Sequence, residues 1–353
     1  MNRPFLKKTA FALLALIPVV SLSGCGSLTS AFSSTKPVEK SRFLLNTDCH
    51  ITIYDKVDDS VFDRAFSRIS DIERKMTVNA ETSEIIELNK AAGKHEVKVS
   101  EDTFNVLQKG LYYSELSGGK FDITVGPVVK LWNINTPEAA IPGENELKEA
   151  VKHIDYRKLR LDEDRLTARL DEEGMEVDLG GVAKGYAADE VEKVLAENGV
   201  RHAIINLGGN VLTMGAKPNG DPWRVGIQNP STPRGDYVGT VKLVNQTAVT
   251  SGIYERFFEK GGKVYHHIMD VETGYPVDNE LESVTVIADK SSNGDGMSGV
   301  LFQLGVEEGM ELAAKLEGVE AVFVTKDRKI YVTDGLKNNF ALDNTQFTWV
   351  NPN

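Results

Sequence analysis

The segment with the clearest chemical meaning, residues 177–186, reads Val-Asp-Leu-Gly-Gly-Val-Ala-Lys-Gly-Tyr. It predicts a strand that ends near Asp178, a glycine turn that includes Gly181, and a helix that begins near Val182. Free N–H groups at a helix start bind anions, and Lys184 adds a positive charge, so the segment suits a phosphate. Its spacing matches neither Gly-x4-Gly-Lys-Ser/Thr nor Gly-x-Gly-x-x-Gly. A glycine turn that only serves close packing explains it about equally well.

Two further segments carry titratable side chains. His266 and His267 follow the motif Thr-Ser-Gly-Ile-Tyr-Glu-Arg of residues 250–256. Neighbouring residues of a strand face opposite sides, so we expect one histidine to act as a base or phosphate contact and the other to be structural. Asp295 lies in the segment Asn-Gly-Asp-Gly-Met-Ser-Gly of residues 293–299, which opens a predicted helix. Its carboxylate could bind a hard cation or cap that helix.

Two more glycine pairs lie at the ends of predicted elements. Lys120, Phe121 and Asp122 follow the pair at 118 and 119. An aspartate beside an aromatic ring could hold the edge of a planar ligand, although Phe121 could equally belong to the core. The pair at 208 and 209 is expected to form a structural turn. Together these segments indicate a phosphorylated anion held by glycine loops, a hard metal ion and one histidine.

The elements that must position these residues follow from hydrophobic periodicity. Apolar residues recur at three- and four-residue steps through residues 59–76, which predicts an amphipathic helix. Further helices are predicted from Ser100 to the glycine pair at 118 and over residues 182–198, 295–304 and 306–316. Predicted strands outnumber helices, and short turns join many of them. The pattern favours an α+β fold, a single two-lobed domain with a largely antiparallel sheet and flanking helices.

Composition narrows the class of protein. The chain has 353 residues, 41% hydrophobic and 26% charged, close to an average globular protein and unlike a disordered one. It carries 52 acidic and 40 basic residues, for a formal net charge of −12. Because phosphate backbones are bound by basic surfaces, this balance argues against nucleic acid as a partner.

The first residues have the anatomy of an export signal. Three basic residues precede an apolar run over residues 9–22, which is too short to span a bilayer comfortably. The run ends in Leu-Ser-Gly-Cys, which resembles the lipobox of bacterial lipoproteins and implies cleavage before Cys25 and a lipid on that cysteine. An ordinary secretory signal with a chance cysteine is the alternative. We expect a lipoprotein signal peptide over residues 1–24, a flexible tether over residues 25–41 and the folded domain over residues 42–353. The second cysteine, Cys49, is expected to be buried.

Read in order, the motifs resemble those of the ApbE-type flavin transferases, a family that moves FMN from FAD onto a threonine of another protein. The resemblance extends from about Arg42 to Asp334. The matching segments are residues 76–89, 119–122, 178–186, 206–209, 250–256, 267–274 and 295–298.

The resemblance implies a role for each candidate residue. FAD would lie in a cleft, and Mg²⁺ would bridge its pyrophosphate. His267 matches the family's catalytic histidine. The implied metal ligands are the Asp295 carboxylate and the main-chain carbonyl of Gly181, with Ser298 as a further candidate. The implied FAD contacts are Asn79, Lys120, Phe121, Asp122, Asp178, Lys184, His267 and Met269.

Two positions depart from the family pattern. Gly299 stands where the family usually has a threonine whose hydroxyl binds the metal, which makes Ser298 or water the candidate replacement. Asn79 stands where many members have a tyrosine that stacks on the flavin, and an asparagine there resembles members that hydrolyse FAD to FMN and AMP. Losing an aromatic stack would weaken flavin retention by on the order of 1 kcal/mol.

The expected activity is the Mg²⁺-dependent transfer of FMN from FAD to a threonine hydroxyl of an exported acceptor protein, with release of AMP. One alternative is a Mg²⁺-dependent FAD pyrophosphatase that gives FMN and AMP. Another is a lipoprotein that binds FAD without catalysis. The expected location is the cell membrane, reached through the lipid anchor, on the side facing away from the cytoplasm.

Overall fold

The computed structural model describes residues 36–134 and 136–351. Within these ranges the α-helices are α1 Ser60–Met76, α2 Glu84–Lys90, α3 Glu101–Leu116, α4 Gly126–Trp132, α5 Glu144–Val151, α6 Ala183–Glu197 and α7 Ser291–Lys315. The strands are β1 Val38–Leu44, β2 Thr47–Ile53, β3 Val97–Lys98, β4 Leu159–Asp162, β5 Thr167–Leu170, β6 Ala203–Leu207, β7 Asn210–Met214, β8 Trp223–Gln228, β9 Tyr237–Leu243, β10 Thr247–Gly252, β11 Phe257–Lys260, β12 Lys263–His266, β13 Leu281–Ala288, β14 Glu320–Thr325, β15 Lys329–Val332, β16 Ala341–Leu342 and β17 Thr348–Trp349.

A nine-stranded sheet forms the centre of the molecule, in the order β1-β2-β6-β7-β10-β13-β14-β15-β17. Its strands pair antiparallel except for β15 and β17. Smaller sheets are β16-β9-β8, β3-β5-β4 and the pair β11-β12. Short turns explain the antiparallel order: β6 and β7 are joined by Gly208 and Gly209, whose φ angles of 63° and 94° suit a two-residue hairpin turn. The predicted α+β fold with a largely antiparallel sheet is confirmed.

The central sheet is covered on both faces. On one side α1, α6 and α7 pack against it, and Phe62, Phe66 and Ile69 of α1 are fully buried there. On the other side lies a second apolar cluster, formed with strands β8 and β9. Val286 and Ile287 of β13 belong to these two different clusters because successive residues of a strand face opposite sides. The helical side carries the glycine-rich motifs.

The start of the folded part differs from the prediction. β1 begins at Val38, within the segment 25–41 predicted to be a tether, because it pairs with β2 in a continuous register from Val38↔Ile53 to Leu44↔Thr47. The predicted signal peptide, residues 1–24, and Cys25 lie outside the described residues. Cys49 is buried in β2, as predicted. Over residues 36–134 and 136–351, none of the helices combines the length and apolar character needed to cross a membrane.

Candidate active site

The centre of the candidate site is the place where α6 begins beside the second turn of α7. α7 begins at Ser291, so Asp295 lies inside the helix and does not cap it, which removes one of the two sequence interpretations. The Asp295 carboxylate is only 5% exposed. Its Oδ2 accepts a hydrogen bond from the Gly185 N–H at 2.8 Å, and its Oδ1 lies 3.2 Å from Lys184 Nζ. The buried negative charge is therefore balanced by a helix start and an ammonium group.

Gly185 is required by the close packing of these two helices. A Cβ on Gly185 would lie 2.7 Å from the Asp295 Cβ and 2.7 Å from the Ser291 carbonyl carbon, with the Ser291 carbonyl oxygen closer still. The two helices also satisfy each other's ends. Asp189 of α6 accepts from the N–H groups of Ser291 and Ser292 at 2.8 and 3.0 Å, while Asp295 accepts from Gly185. Gly185 of the segment 177–186 thus serves close packing, and the binding of a phosphate by this segment stays a prediction.

Phe121 lies over two glycines of the site. A Cβ on Gly181 would be 3.1 Å from the Phe121 ring, and a Cβ on Gly299 would be 3.0 Å from it. The glycine at 299 thus leaves room for a half-buried aromatic ring. Ser298 is engaged by the chain: its hydroxyl lies 2.8 Å from the Ser251 hydroxyl and donates to the Asp295 main-chain carbonyl at 2.9 Å.

His267 follows β12 directly and is held in one tautomer. Its Nδ1 lies 3.2 Å from the Arg256 carbonyl oxygen. A carbonyl can only accept, so Nδ1 carries the hydrogen and Nε2 presents a lone pair. Loss of hydration, assisted by the positive charge of Arg256, lowers the pKa of His267 to about 3, so the ring is neutral at pH 7.

His266 has a different environment. Its ring is buried, with Nε2 3.1 Å from the Val277 carbonyl and an edge contact to Phe302. Burial lowers the pKa of His266 to about 4. The two histidines therefore enter different surroundings, and His266 is the structural one of the pair.

Asp178 and two cations share the electrostatic surroundings of His267. Asp178 Oδ1 accepts from the Gly180 N–H at 2.7 Å. Loss of hydration raises the pKa of Asp178, whereas that hydrogen bond and the positive charges of Arg256 and Lys184 lower it. The same two cations disfavour protonation of His267. Arg256 received no role from the sequence, although it ends the motif of residues 250–256; its charge beside a candidate histidine was the available signal.

Other residues predicted to contact FAD are used by the chain itself. Asp122 is buried, and its two oxygens accept from the Thr124 and Tyr156 N–H groups at 2.7 and 2.8 Å, so it shapes the loop that carries Phe121. Met269 is 5% exposed and packs in the Trp132 cluster. Asp122 and Met269 therefore have structural roles within the chain, and their contact with FAD stays a prediction.

Two further predicted contacts are exposed. Lys120 pairs with Glu308, Nζ to Oε2 2.8 Å. Asn79 lies in the loop between α1 and α2, where its N–H donates to the Thr77 hydroxyl at 3.0 Å. Over the described residues no hydrogen bond or ion pair joins Lys120 or Asn79 to the Asp295 centre. Direct contacts join Lys184 and Ser298 to Asp295 and Phe121 to Gly181, and the charges of Lys184 and Arg256 act on both Asp178 and His267. The roles of Lys120 and Asn79 stay predictions.

The donor set fits a hard metal ion. Residues 36–134 and 136–351 contain no group of three or more His, Cys, Asp or Glu placed to hold a metal. Asp295 instead offers one carboxylate among hydroxyl and carbonyl oxygens. Mg²⁺ prefers oxygen ligands, takes one or two carboxylates and completes its shell with water and substrate phosphates. Oδ2 of Asp295 accepts from the Gly185 N–H and Oδ1 pairs with Lys184 at 3.2 Å, so a metal ion at Oδ1 would share that oxygen with the ammonium group or displace it.

Known proteins are similar to this chain in sequence and in fold. The chain matches the ApbE family over residues 45–323. A Klebsiella pneumoniae protein named FAD:protein FMN transferase is 38% identical over 80% of this chain and 88% of its own, and a Treponema pallidum protein of that name is 31% identical over 93% and 95%. The crystal structure of the Thermotoga maritima ApbE protein has a TM-score of 0.79 at 28% identity, covering 86% of this chain and 99% of that one. The predicted membership is confirmed: the chain belongs to the ApbE family.

Proposed function

We propose that this protein transfers FMN from FAD to a threonine hydroxyl of an exported acceptor protein, with AMP as the leaving group and Mg²⁺ as the required ion. The observation that carries the proposal is the buried Asp295–Lys184 ion pair, whose ammonium group also acts electrostatically on His267. These three residues would supply a carboxylate for a hard cation, an ammonium for a phosphate and a neutral imidazole. The names of the relatives support the transfer of FMN from FAD to protein.

The pyrophosphate of FAD would lie at the start of α6. The N-terminus of this helix, Lys184 and Arg256 supply positive potential there, although the whole chain has a net charge of −12. Asp295 Oδ1, the Gly181 carbonyl and, through water, Ser298 would hold Mg²⁺. Bound there, Mg²⁺ would supply a Lewis acid that withdraws charge from the phosphate oxygens.

His267 acts as the general base. Nε2 accepts the proton of the incoming hydroxyl as the hydroxyl oxygen attacks the phosphorus of the FMN half. The new oxygen–phosphorus bond forms, the phosphoanhydride bond breaks, and AMP leaves with the bonding electron pair. The acceptor keeps FMN as a phosphoester. A pyrophosphate bound nearby favours the protonated ring, so substrate binding raises the pKa of His267 from the low value that Arg256 and loss of hydration impose.

Hydrolysis of FAD is the second candidate function. It is favoured by Asn79, which is exposed and brings no aromatic ring to the flavin. With water in place of the acceptor hydroxyl, the same site gives FMN and AMP. The two activities therefore differ in the nucleophile and share Asp295 and His267.

One reaction distinguishes these functions. The protein is incubated with FAD, Mg²⁺ and a threonine-containing acceptor, and mass spectrometry detects FMN on the acceptor, free FMN with AMP, or neither. We expect FMN on the acceptor and a 10²- to 10³-fold loss in His267→Asn, roughly the contribution of a general base. Asp295→Asn should fold, because an amide oxygen can still accept the hydrogen bond from the Gly185 N–H. It should lose the activity that Mg²⁺ supports. Asp278→Asn, a change at an exposed aspartate, is the matched control. FAD binding without any product would refute the enzyme proposal.

We further propose that Cys25 carries a lipid that holds the protein on the outer side of the cell membrane. The Leu-Ser-Gly-Cys sequence after the apolar run supports this location. Cys25→Ser should move the protein from the membrane fraction to the soluble fraction and abolish labelling by a radioactive fatty acid. An unchanged membrane fraction and unchanged labelling would contradict the anchor.

A further inference from the structure

The hairpin β11-β12 connects two residues of the candidate site. It leaves the chain after Arg256, turns at Gly261 and Gly262 with φ angles of 62° and 76°, and returns to His267. Its base is closed by the His267 N–H, which donates to the Arg256 carbonyl at 3.1 Å. Anything bound along β12 is therefore led directly to the catalytic histidine.

The outer edge of β12 is open. Lys260 pairs with Lys263 and Phe258 with Tyr265. Hydrogen-bonded and non-hydrogen-bonded pairs alternate along an antiparallel ladder. Because His267 and Arg256 form a hydrogen-bonded pair, Val264 and Glu259, three positions further along the ladder, form a non-hydrogen-bonded pair. The N–H and C=O of Val264 therefore point away from β11. In the described parts of the chain no third strand pairs with this edge.

The two faces of the hairpin differ. Phe258 and Tyr265 stack on each other at 5.4 Å and pack on Trp132, which anchors one face to α4. The other face leaves Phe257 and Val264 exposed by 43% and 39%. An anchored strand with an open edge and exposed apolar side chains is a template for strand addition.

The charge at the hairpin turn differs from that of the whole chain. Lys260 and Lys263 flank the turn with Glu259 as the single acid among the eight residues of the two strands, in a chain of net charge −12. A segment that lies along β12 would meet positive charge at one end and the imidazole of His267 at the other. Acidic side chains toward the turn complement this distribution.

We propose that the outer edge of β12 binds an extended segment of the acceptor protein as an added strand, with its acidic side chains toward the turn and its target hydroxyl beside His267. This inference rests on the proposed function, which requires a protein hydroxyl at that histidine. Neighbouring strands lie about 4.8 Å apart, so a hydroxyl at the end of the added strand comes within reach of the imidazole. The hairpin thus binds the acceptor through main-chain hydrogen bonds, while the site acts on one of its side chains.

A pair of proline substitutions tests the open edge. Val264→Pro removes an outward N–H without removing a bond to β11, and its neighbour Lys263 is already extended. Glu259→Pro makes the same change directly opposite, on the outer edge of β11, and is the matched control. Both full-length variants are incubated with FAD, Mg²⁺ and synthetic twelve-residue peptides that carry one central threonine and randomised flanks. Mass spectrometry quantifies peptides that carry FMN, and fluorescence titration gives the FAD affinity.

We expect Val264→Pro to raise the KM for peptide at least about ten-fold while its FAD affinity and its hydrolysis of FAD without peptide match the wild type. Glu259→Pro should stay within about two-fold of the wild type in all three measurements. If Val264→Pro loses FAD affinity, the fold is damaged, and Val264→Asp, which keeps the N–H but repels acidic flanks, takes its place with the same expected KM.

Two outcomes separate the two hypotheses. Equal peptide kinetics in the wild type, both proline variants and Val264→Asp would overturn docking on β12 and leave the proposed transfer intact. A wild-type protein that places FMN on no peptide while it releases FMN and AMP would overturn the transfer itself, and the docking inference with it.

Discussion

A methyl group at Gly185 should damage both stability and the site. Alanine is normally the better helix residue, and Gly185 lies in α6 with an ordinary negative φ. Its added Cβ, however, would lie 2.7 Å from Asp295 Cβ and from the Ser291 carbonyl carbon. The overlapping atoms of Ser291 belong to its main chain, and the Ser291 N–H donates a 2.8 Å hydrogen bond to Asp189. Rotation of a side chain therefore cannot relieve the overlap. α6 and α7 must separate by more than about 0.7 Å, because 0.7 Å restores an ordinary 3.4 Å contact for the two carbon atoms and the Ser291 carbonyl oxygen lies closer still.

The magnitude follows from three opposing contributions. Helix propensity favours alanine by about 1 kcal/mol. Overpacking a close contact costs about 1–3 kcal/mol, and a main-chain neighbour places the cost at the upper end. Stretching the hydrogen bond from the Gly185 N–H to the charged Asp295 oxygen costs about 1.5 kcal/mol more. Gly185→Ala should therefore lower the free energy of unfolding by about 3 kcal/mol.

Urea unfolding followed by circular dichroism measures this loss, and calorimetry measures Mg²⁺ binding in the same variant. Gly110→Ala in α3 is the matched control for overpacking, because its Cβ would lie 2.7 Å from two atoms of the buried Ile123 side chain rather than against Asp295. We expect that control to lose about 1–3 kcal/mol of stability through overpacking while its Mg²⁺ affinity stays that of the wild type. A Gly185→Ala protein as stable as the wild type, with unchanged Mg²⁺ affinity, would refute the claim that close helix packing positions Asp295.

Three further predictions concern charges. Arg68→Met should lower the free energy of unfolding in urea at pH 7 by about 3 kcal/mol, because Arg68 pairs with Asp102 and Glu190 at 2.5 Å each. A loss below about 1 kcal/mol would show that these ion pairs contribute little to stability. Hydrogen bonds from Arg68 and Lys75 hold the pKa of Asp102 far below its usual range. The stability that Asp102 contributes is therefore present above about pH 4 and is lost as the pH falls below it. Between about pH 5 and 2.5 the urea midpoint should fall less steeply in Asp102→Asn than in the wild type. Burial lowers the pKa of His266 to about 4, so the unfolded chain binds its proton first as the pH drops below 6.5. The wild type should lose about 2 kcal/mol more than His266→Asn between pH 7.5 and 5, and parallel curves would contradict this.

Local sequence patterns predicted the elements whose signals are local. The apolar period of α1 and the capping serine of α3 appear as expected, and Ser100 accepts from the Thr103 N–H. The glycine segment at 177–186 opens α6, although the strand expected to end near Asp178 is reduced to a single bridge between Glu176 and Val125. A turn and a helix start are determined by neighbouring residues. The pairing of a short extended segment, in contrast, depends on a partner that is distant in the sequence.

Long-range contacts explain what the sequence left unassigned. β1 was hidden because most of its side chains are exposed and show no apolar alternation. Asp122 faces Tyr156, 34 residues away, and Lys120 faces Glu308, 188 residues away. Whether such polar groups meet a ligand or another part of the chain depends on packing that no short window contains. The helix cap by Asp189 was missed for the same reason, since its partner Ser291 lies 102 residues later.

The mutual capping of α6 and α7 also sets when the site comes into being during folding. The Gly185 N–H and the Asp295 carboxylate are 110 residues apart in the chain. A nascent chain that ends before residue 291 contains the glycine loop and Lys184 but neither the carboxylate nor the helix that α6 rests on. The proposed capacity for metal and pyrophosphate would therefore arise in one late step, together with the docking of α7.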